Sequence, residues 1–148
     1  MDATAPDSPI PTTCLCEALR RAARMVTRMY DDALRPLNLR ITQFSILAHL
    51  RGSEAMRVRD LAAGLQLEET TLTRNLRLLE QEGWVATRAG DDRREKYISI
   101  TRSGQQVLTR AVPLWRAVQE RLQERVSTTT WDSAFRALPK IAAGAAQD

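Results

Sequence analysis

A mainly α-helical chain carrying a small β-hairpin is what this sequence predicts, and three observations between residues 57 and 101 carry most of that prediction. The first is a short helical pattern, Arg59-Asp60-Leu61-Ala62-Ala63-Gly64-Leu65, that turns through Gln66-Leu67-Glu68. The second is a longer helical run over residues 69–82, stopped by Gly83, in which Leu72, Leu76 and Leu79 recur at spacings of four and three and so share one side of a helix. The third is a pair of strand-like runs, 84–88 and 96–101, flanking the charged tip Ala89-Gly90-Asp91-Asp92-Arg93-Arg94-Glu95. Helix, turn, helix and basic hairpin in that order describe a winged helix-turn-helix, a shape that lays one helix in a major groove while the hairpin reaches the neighbouring backbone.

The second helix of the motif is the candidate reader. Drawn at ~100° per residue, it sets Thr70, Arg74, Arg77 and Gln81 opposite the leucines, with Thr73 at the margin and Glu80 and Glu82 off the stripe. Threonine hydroxyls reach phosphates or base edges, and an arginine that takes guanine O6 and N7 in a bidentate pair supplies ~1–3 kcal/mol of discrimination. The plainer reading is a solvated helix face, but a solvated face has no need to exclude carboxylates. Glu68 and Glu69 suit the positive end of the helix macrodipole; the wheel places both on the inward half, as capping residues rather than groove contacts.

In the hairpin, Asp91 and Asp92 suit a tight turn, since an aspartate can bond its own backbone two residues on. Asp92 and Arg94 share a face of an extended strand, so the carboxylate is expected to brace the guanidinium as it points outward. A braced arginine at a hairpin tip fits a narrow, A·T-rich minor groove. The plainer reading is a solvated turn with a surface ion pair, worth at most ~1 kcal/mol.

These residues resemble the MarR family of transcriptional regulators. The resemblance rests on Leu61-Ala62 and Leu65, on Leu72-Thr73-Arg74 leading to Leu79-Glu80 and Gly83, and on Asp92-Arg93-Arg94 followed by Ile100-Thr101 and Gly104, similar to the family's D-x-R and L-T signature. Upstream, Leu39-Arg-Ile-Thr-Gln-Phe-Ser-Ile-Leu-Ala-His-Leu50 is similar to the family's second helix, so the resemblance covers about residues 15–145. Ile100 stands where the family usually has Leu and keeps the apolar role. The resemblance implies a homodimer that binds a pseudo-palindromic double-stranded operator, often as a repressor released by a small phenolic ligand or an oxidant. It implies that Thr70, Thr71, Thr73, Arg74 and Arg77 serve the recognition helix and Arg94 the wing.

The remaining elements follow in chain order. Residues 1–13, with Pro6, Pro9 and Pro11, are acidic and proline-rich; they are expected to form a flexible arm and lack the pattern of a signal peptide. A single domain is expected over residues 14–148, with its DNA-binding part at about 42–101 and dimerisation helices at about 14–37 and 102–146. The first of these helices carries Leu15, Leu19, Ala22, Val26, Met29 and Ala33 as one apolar stripe. The long helix from residue 102 carries Leu108, Ala111, Trp115, Val118, Leu122 and Val126, with Pro113 expected to kink it or loosen a turn. A last segment holds Trp131, Phe135, Leu138 and Ile141, with Pro139 expected to interrupt it. Apolar terminal helices need a surface to bury against, and a second subunit is the simplest one; a twofold would set two recognition helices ~34 Å apart. The net charge of +4 favours an anionic partner, and no run approaches the ~18 apolar residues of a membrane span, so a cytoplasmic location is expected.

Smaller constellations carry the alternatives. Cys14 and Cys16, as Cys-Leu-Cys, sit at the start of the first helix, where residues two apart point ~200° from each other and cannot close a disulfide without unwinding that end. They read as small apolar interface residues; the alternative is a thiol-based redox or soft-metal sensor, since a thiol near a helix N-terminus and arginines is acidified. His49 reads as a polar core-edge residue, and Tyr30, Phe44, His49 and Trp115 are a candidate apolar effector pocket between the first, second and long helices. With one His and no H-E-x-x-H, G-x-S-x-G or phosphate-cradling glycine loop, the sequence supports no enzyme, and no cofactor or metal is expected. A second alternative keeps the winged helix but turns its Thr/Arg stripe toward an acidic protein partner.

Overall fold

The structure, a computed structural model, describes residues 14–92 and 94–146. The arm expected over residues 1–13 and Arg93 of the wing signature lie outside the described residues. The chain runs through α1 (Leu15–Leu34), a 3-10 turn (Arg35–Leu37), α2 (Ile41–Leu50), β1 (Met56–Arg57), α3 (Val58–Leu65), α4 (Glu69–Gln81), β2 (Val85–Ala89), β3 (Lys96–Ile100), α5 (Arg102–Val126) and α6 (Thr128–Ala145).

The core forms where α2, α3 and α4 pack on the base of the hairpin and the first half of α5. Ile46, Leu47, Leu50, Leu61, Leu72, Leu79 and Ile98 are completely buried there. The centre falls to α2, because Ile41, Phe44, Ile46, Leu47 and Leu50 leave it little polar surface. Its N-terminus is tied twice: Gln43 Oε1 accepts from the Arg40 amide at 3.0 Å, and Asp31 Oδ1 of α1 accepts from the Ile41 amide at 2.8 Å. Both bonds satisfy backbone donors that the helix cannot use itself.

The helix-turn-helix is built by chain reversals at the ends of α3 and α4. Gln66 takes a left-handed conformation with φ +51°, and Leu67 donates to the Ala62 carbonyl at 2.9 Å. At the end of α4, Gly83 has φ +72°; its amide reaches the Glu80 carbonyl at 2.9 Å and the Trp84 amide reaches Leu79 at 2.9 Å. Glycine is suited to that position because it lacks the Cβ that penalises a positive φ.

The sheet has three strands in the order β1-β3-β2, all antiparallel. Thr87 of β2 and Met56 of β1 both lie opposite Ile98. The sequence reading contained the hairpin but not β1, which extends it toward the helix-turn-helix. Thr101 then caps α5: its Oγ1 accepts from the Gly104 amide at 3.0 Å and donates to the Gly83 carbonyl at 2.7 Å. That hydroxyl joins the end of α4, the end of the wing and the start of the long helix.

Proline does not divide the last helices. α5 continues through Pro113 and α6 through Pro139, so the interruption expected at Pro139 is corrected. Both proline side chains stand on exposed positions, where their rings displace no core packing. The terminal helices are only partly covered within one chain. Tyr30 and Leu34 are the buried residues of α1 and none is buried in α6, while Leu15, Met25, Phe135 and Leu138 remain 48–67% exposed.

Candidate nucleic-acid interface

The face of α4 opposite the core is built by the leucine spacing. With Leu72, Leu76 and Leu79 buried, Thr70, Thr71, Thr73, Arg74, Arg77 and Gln81 are all exposed. Among the described residues neither Arg74 nor Arg77 makes an ion pair, so both guanidinium groups are available. Glu80 is drawn off this face, its carboxylate accepting from Thr87 Oγ1 of β2. Glu68 and Glu69 differ from the sequence reading. Both are exposed rather than inward, and Glu68 makes no side-chain cap bond; within the first turn of α4 it is Leu72 that reaches the core, while Glu69, Thr70 and Thr71 face solvent.

The wing tip is a set of short backbone bonds. Gly90 donates to the Glu95 carbonyl at 2.8 Å and Glu95 to the Asp92 carbonyl at 2.9 Å. Asp92 Oδ1 accepts from the Arg94 backbone amide at 2.9 Å. The bracing expected of Asp92 is therefore corrected in its means: it acts on the Arg94 main chain, and among the described residues no Asp92–Arg94 ion pair is present. Neither residue lies in a strand, so strand alternation does not govern them. Arg94 is exposed.

Arg94 meets the helix-turn-helix across a cleft of about 430 Å³, whose lining includes Arg57, Arg59, Thr73, Arg94 and Lys96. Glu69, Asp92 and Glu95 line it too, so its cations are partly offset. Sequence reasoning missed Arg57, Arg59 and Lys96. The alternation of a two-residue strand is too short to signal, although the basic run itself was visible.

Behind the cleft, Arg57 is held in a cluster. Its Nε donates to the Tyr97 hydroxyl at 3.0 Å and its Nη1 lies 3.4 Å from Glu95 Oε1. The Tyr97 hydroxyl in turn donates to Glu95 Oε2 at 3.4 Å. Arg88, opposite Tyr97 on the neighbouring strand, places its guanidinium 4.7 Å from the ring centroid. The hydrogen bond to Tyr97, and then the charge of Glu95, hold the Arg57 guanidinium above its ordinary pKa.

The candidate effector residues separate into two groups. Phe44 and Trp115 stack with ring centroids 5.8 Å apart, and buried Tyr30 donates to Gln119 Oε1 at 2.7 Å; burial pushes the Tyr30 phenol up. His49 does not join them. It is exposed, with Nδ1 3.0 Å from the Ser45 carbonyl and its ring toward Gly64 of α3. A cleft of about 660 Å³ opens instead between α1 and the start of α2, where Arg24, Arg28, Asp31, Asp32, Arg35 and Arg40 contribute to its lining. Cys14 and Cys16 are both exposed, not buried within the chain. Among the described residues no group of three or more His, Cys, Asp or Glu side chains is gathered to hold a metal ion, and no helix is long and apolar enough to cross a membrane.

A three-stranded winged helix-turn-helix with an exposed Thr/Arg face on α4 defines the class. Within that class, the chain belongs to the MarR family, whose model matches residues 39–96. The organic hydroperoxide resistance transcriptional regulator of Bacillus subtilis is 32% identical over 101 residues, 68% of this chain and 69% of its own length. Alignments with such curated relatives span about two thirds of their length. Among solved structures, the M. tuberculosis transcriptional regulator MosR in complex with DNA is similar with a TM-score of 0.82 and 42% identity, over 91% of this chain and 99% of that one. CouR from Rhodococcus jostii RHA1 bound to p-coumaroyl-CoA is similar with a TM-score of 0.75 and 25% identity, over 91% of this chain and 96% of that one. These relatives are transcriptional regulators.

Proposed function

We propose that this chain is a homodimeric, sequence-specific double-stranded DNA-binding regulator, acting in the cytoplasm as a repressor that a small molecule releases, and not an enzyme. The observation that carries the reading is the exposed face of α4, where two arginines that make no ion pair among the described residues stand among threonines and Glu80 is turned away. Thr70, Thr71, Thr73, Arg74 and Arg77 enter the major groove, and Arg94, set by Asp92, enters the flanking minor groove. MosR in complex with DNA supports this placement of the whole fold. The exposed apolar residues of α1 and α6 support a twofold partner, which would pair two recognition helices on a pseudo-palindrome. The domain division follows: residues 42–101 bind DNA, and the helices on either side join the subunits.

CouR bound to p-coumaroyl-CoA supports a small-molecule effector. An effector at the junction of α1, α2 and α5 marked by Tyr30, Phe44 and Trp115 has to part the stacked rings, because those residues line none of the clefts described above. The test of DNA binding is fluorescence anisotropy with the intergenic duplex upstream of its own gene, titrated across salt against a scrambled duplex. The upstream duplex binds more tightly, and log affinity falls steeply with log salt, at about 0.9 per phosphate neutralised. Equal affinity for both duplexes, or binding indifferent to salt, refutes the reading and favours a protein partner for the same face.

A second reading is favoured by the exposure of both thiols and by the similarity to a hydroperoxide resistance regulator. A peroxide oxidises one thiol of Cys14 or Cys16 to a sulfenic acid and is itself reduced; a second thiol then displaces water to leave a disulfide. Peroxide-sensitive binding, restored by a thiol reductant, supports it.

A further inference from the structure

Beyond the base of the hairpin little holds the wing. β1 pairs with β3 only at Met56 and Arg57, opposite Ile98 and Tyr97, and along β2 every residue after Val85 is exposed. A two-stranded ribbon is marginally stable by itself, so the direction of its tip depends on whatever ties it to the helices. The last such tie is the Arg57 side chain, which stands at the N-cap of α3 and reaches Tyr97 and Glu95 on the wing.

Tyr97 passes that tie to the tip in two ways. Arg88 lies over its ring from the opposite strand, and the ring packs against the turn so closely that a Cβ on Gly90 would stand 2.9 Å from Tyr97 Cε2. The tip so held is the one that presents Arg94. We propose that Tyr97 is a positioning residue for the wing: through Arg57 and Glu95 on one side, and Arg88 and Gly90 on the other, it fixes the offset between Arg94 and the recognition face of α4. The inference rests on the DNA-binding reading above. The competing account is a set of surface contacts without functional consequence. Each bond is individually weak, and the Glu95 contacts at 3.4 Å are long. Their effect is nevertheless directional: among the described residues the Thr87–Glu80 hydrogen bond ties the wing to α4 nearer the hairpin base, and the Arg57 contacts lie one step closer to the tip.

The test uses the full-length protein and a duplex that the wild type selects from a randomised pool. Dimethyl sulfate reads guanine N7 protection in the major groove, and hydroxyl radicals read backbone protection along the flanking minor groove. Tyr97→Phe keeps the ring and removes the hydroxyl that holds Arg57. It is expected to retain N7 protection, lose the flanking protection and weaken binding roughly threefold to tenfold, as for one ordinary solvent-accessible hydrogen bond. Gly90→Ala, which displaces the ring, is expected to give the same pattern with folding retained. Unchanged flanking protection in both variants overturns the proposal, as does an equal loss of both protections, which is what general destabilisation produces. A wild type that selects no duplex removes the DNA-binding reading and this role with it, an outcome separate from a failure of Tyr97 alone.

Discussion

Gly104→Ala tests the joint at which the wing meets the long helix. A Cβ built at Gly104 stands 3.0 Å from the Trp84 carbonyl carbon and 2.8 Å from Ile100 Cγ1, and it presses harder still on the Trp84 carbonyl oxygen. The isoleucine can rotate, but the carbonyl cannot easily yield. It accepts from the Thr101 amide at 3.0 Å, and the Trp84 amide is bound to Leu79 at 2.9 Å. Relief therefore requires the first turn of α5 to move away from the end of α4. Overpacking of this kind costs about 1–3 kcal/mol, and weakening the Thr101 bond adds about 1 kcal/mol. The better helix propensity of alanine returns at most about 1 kcal/mol. The net expectation is a loss of about 1–3 kcal/mol, or roughly 3–10 °C in Tm for a chain of this size.

The assay is urea denaturation followed by circular dichroism, at one fixed protein concentration because a dimer's stability depends on it. Gly144→Ala is the control: nothing lies within 4 Å of its Cβ, and it sits inside α6, so it is expected to be neutral or stabilising by up to about 1 kcal/mol. A Gly104→Ala protein as stable as the wild type would refute the close packing on which the argument depends.

Tyr30 supplies a pH-dependent prediction. Its folded pKa lies above the ordinary 10.0 because the phenol is buried, so its contribution is whole below pH 10 and is lost as pH rises through the folded value. The stability difference between wild type and Tyr30→Phe should shrink between pH 10 and the folded value by up to ~1.4 kcal/mol per unit; parallel profiles in urea titrations across that window would contradict it. Replacing Cys14 and Cys16 together with serine is expected to leave DNA affinity within about twofold in reducing buffer, since surface substitutions away from contacts cost within about 0.5 kcal/mol. Loss of binding measured by anisotropy under those conditions would put the thiols in the DNA-binding machinery itself.

The orientation of the candidate face on α4 was legible because it rests on local periodicity. The spacing of Leu72, Leu76 and Leu79 orients α4 whatever surrounds it, and the Thr/Arg stripe follows from that. Gly83 likewise marked the end of α4, and its positive φ supplies the reason. The residues that were misread depend on non-local geometry. The helix wheel turns Glu68 and Glu69 inward, but in the first turn of α4 the core takes Leu72, and both glutamates stay in solvent. Asp92 was given a strand's alternation, whereas it sits in a turn where its nearest donor is a backbone amide. His49 is expected to converge with Tyr30, Phe44 and Trp115 between the first, second and long helices, yet its ring faces Gly64 of α3. The Arg57–Tyr97–Arg88 cluster was not legible at all, since it needs the register of β1 on β3, and a two-residue strand leaves no pattern in the sequence.

The central claim is that the exposed face of α4 reads base edges while Arg94 serves the flank, and selection from a randomised duplex pool tests it most directly. Wild type, Arg74→Ala, Arg77→Ala and Arg94→Ala would be compared side by side. The account predicts that Arg74→Ala and Arg77→Ala each relax the preferred base at particular half-site positions, at a cost of about 1–3 kcal/mol there. Arg94→Ala should weaken binding while leaving those half-site preferences in place. Half-site preferences unchanged by loss of both Arg74 and Arg77 would contradict the account and move sequence reading off α4.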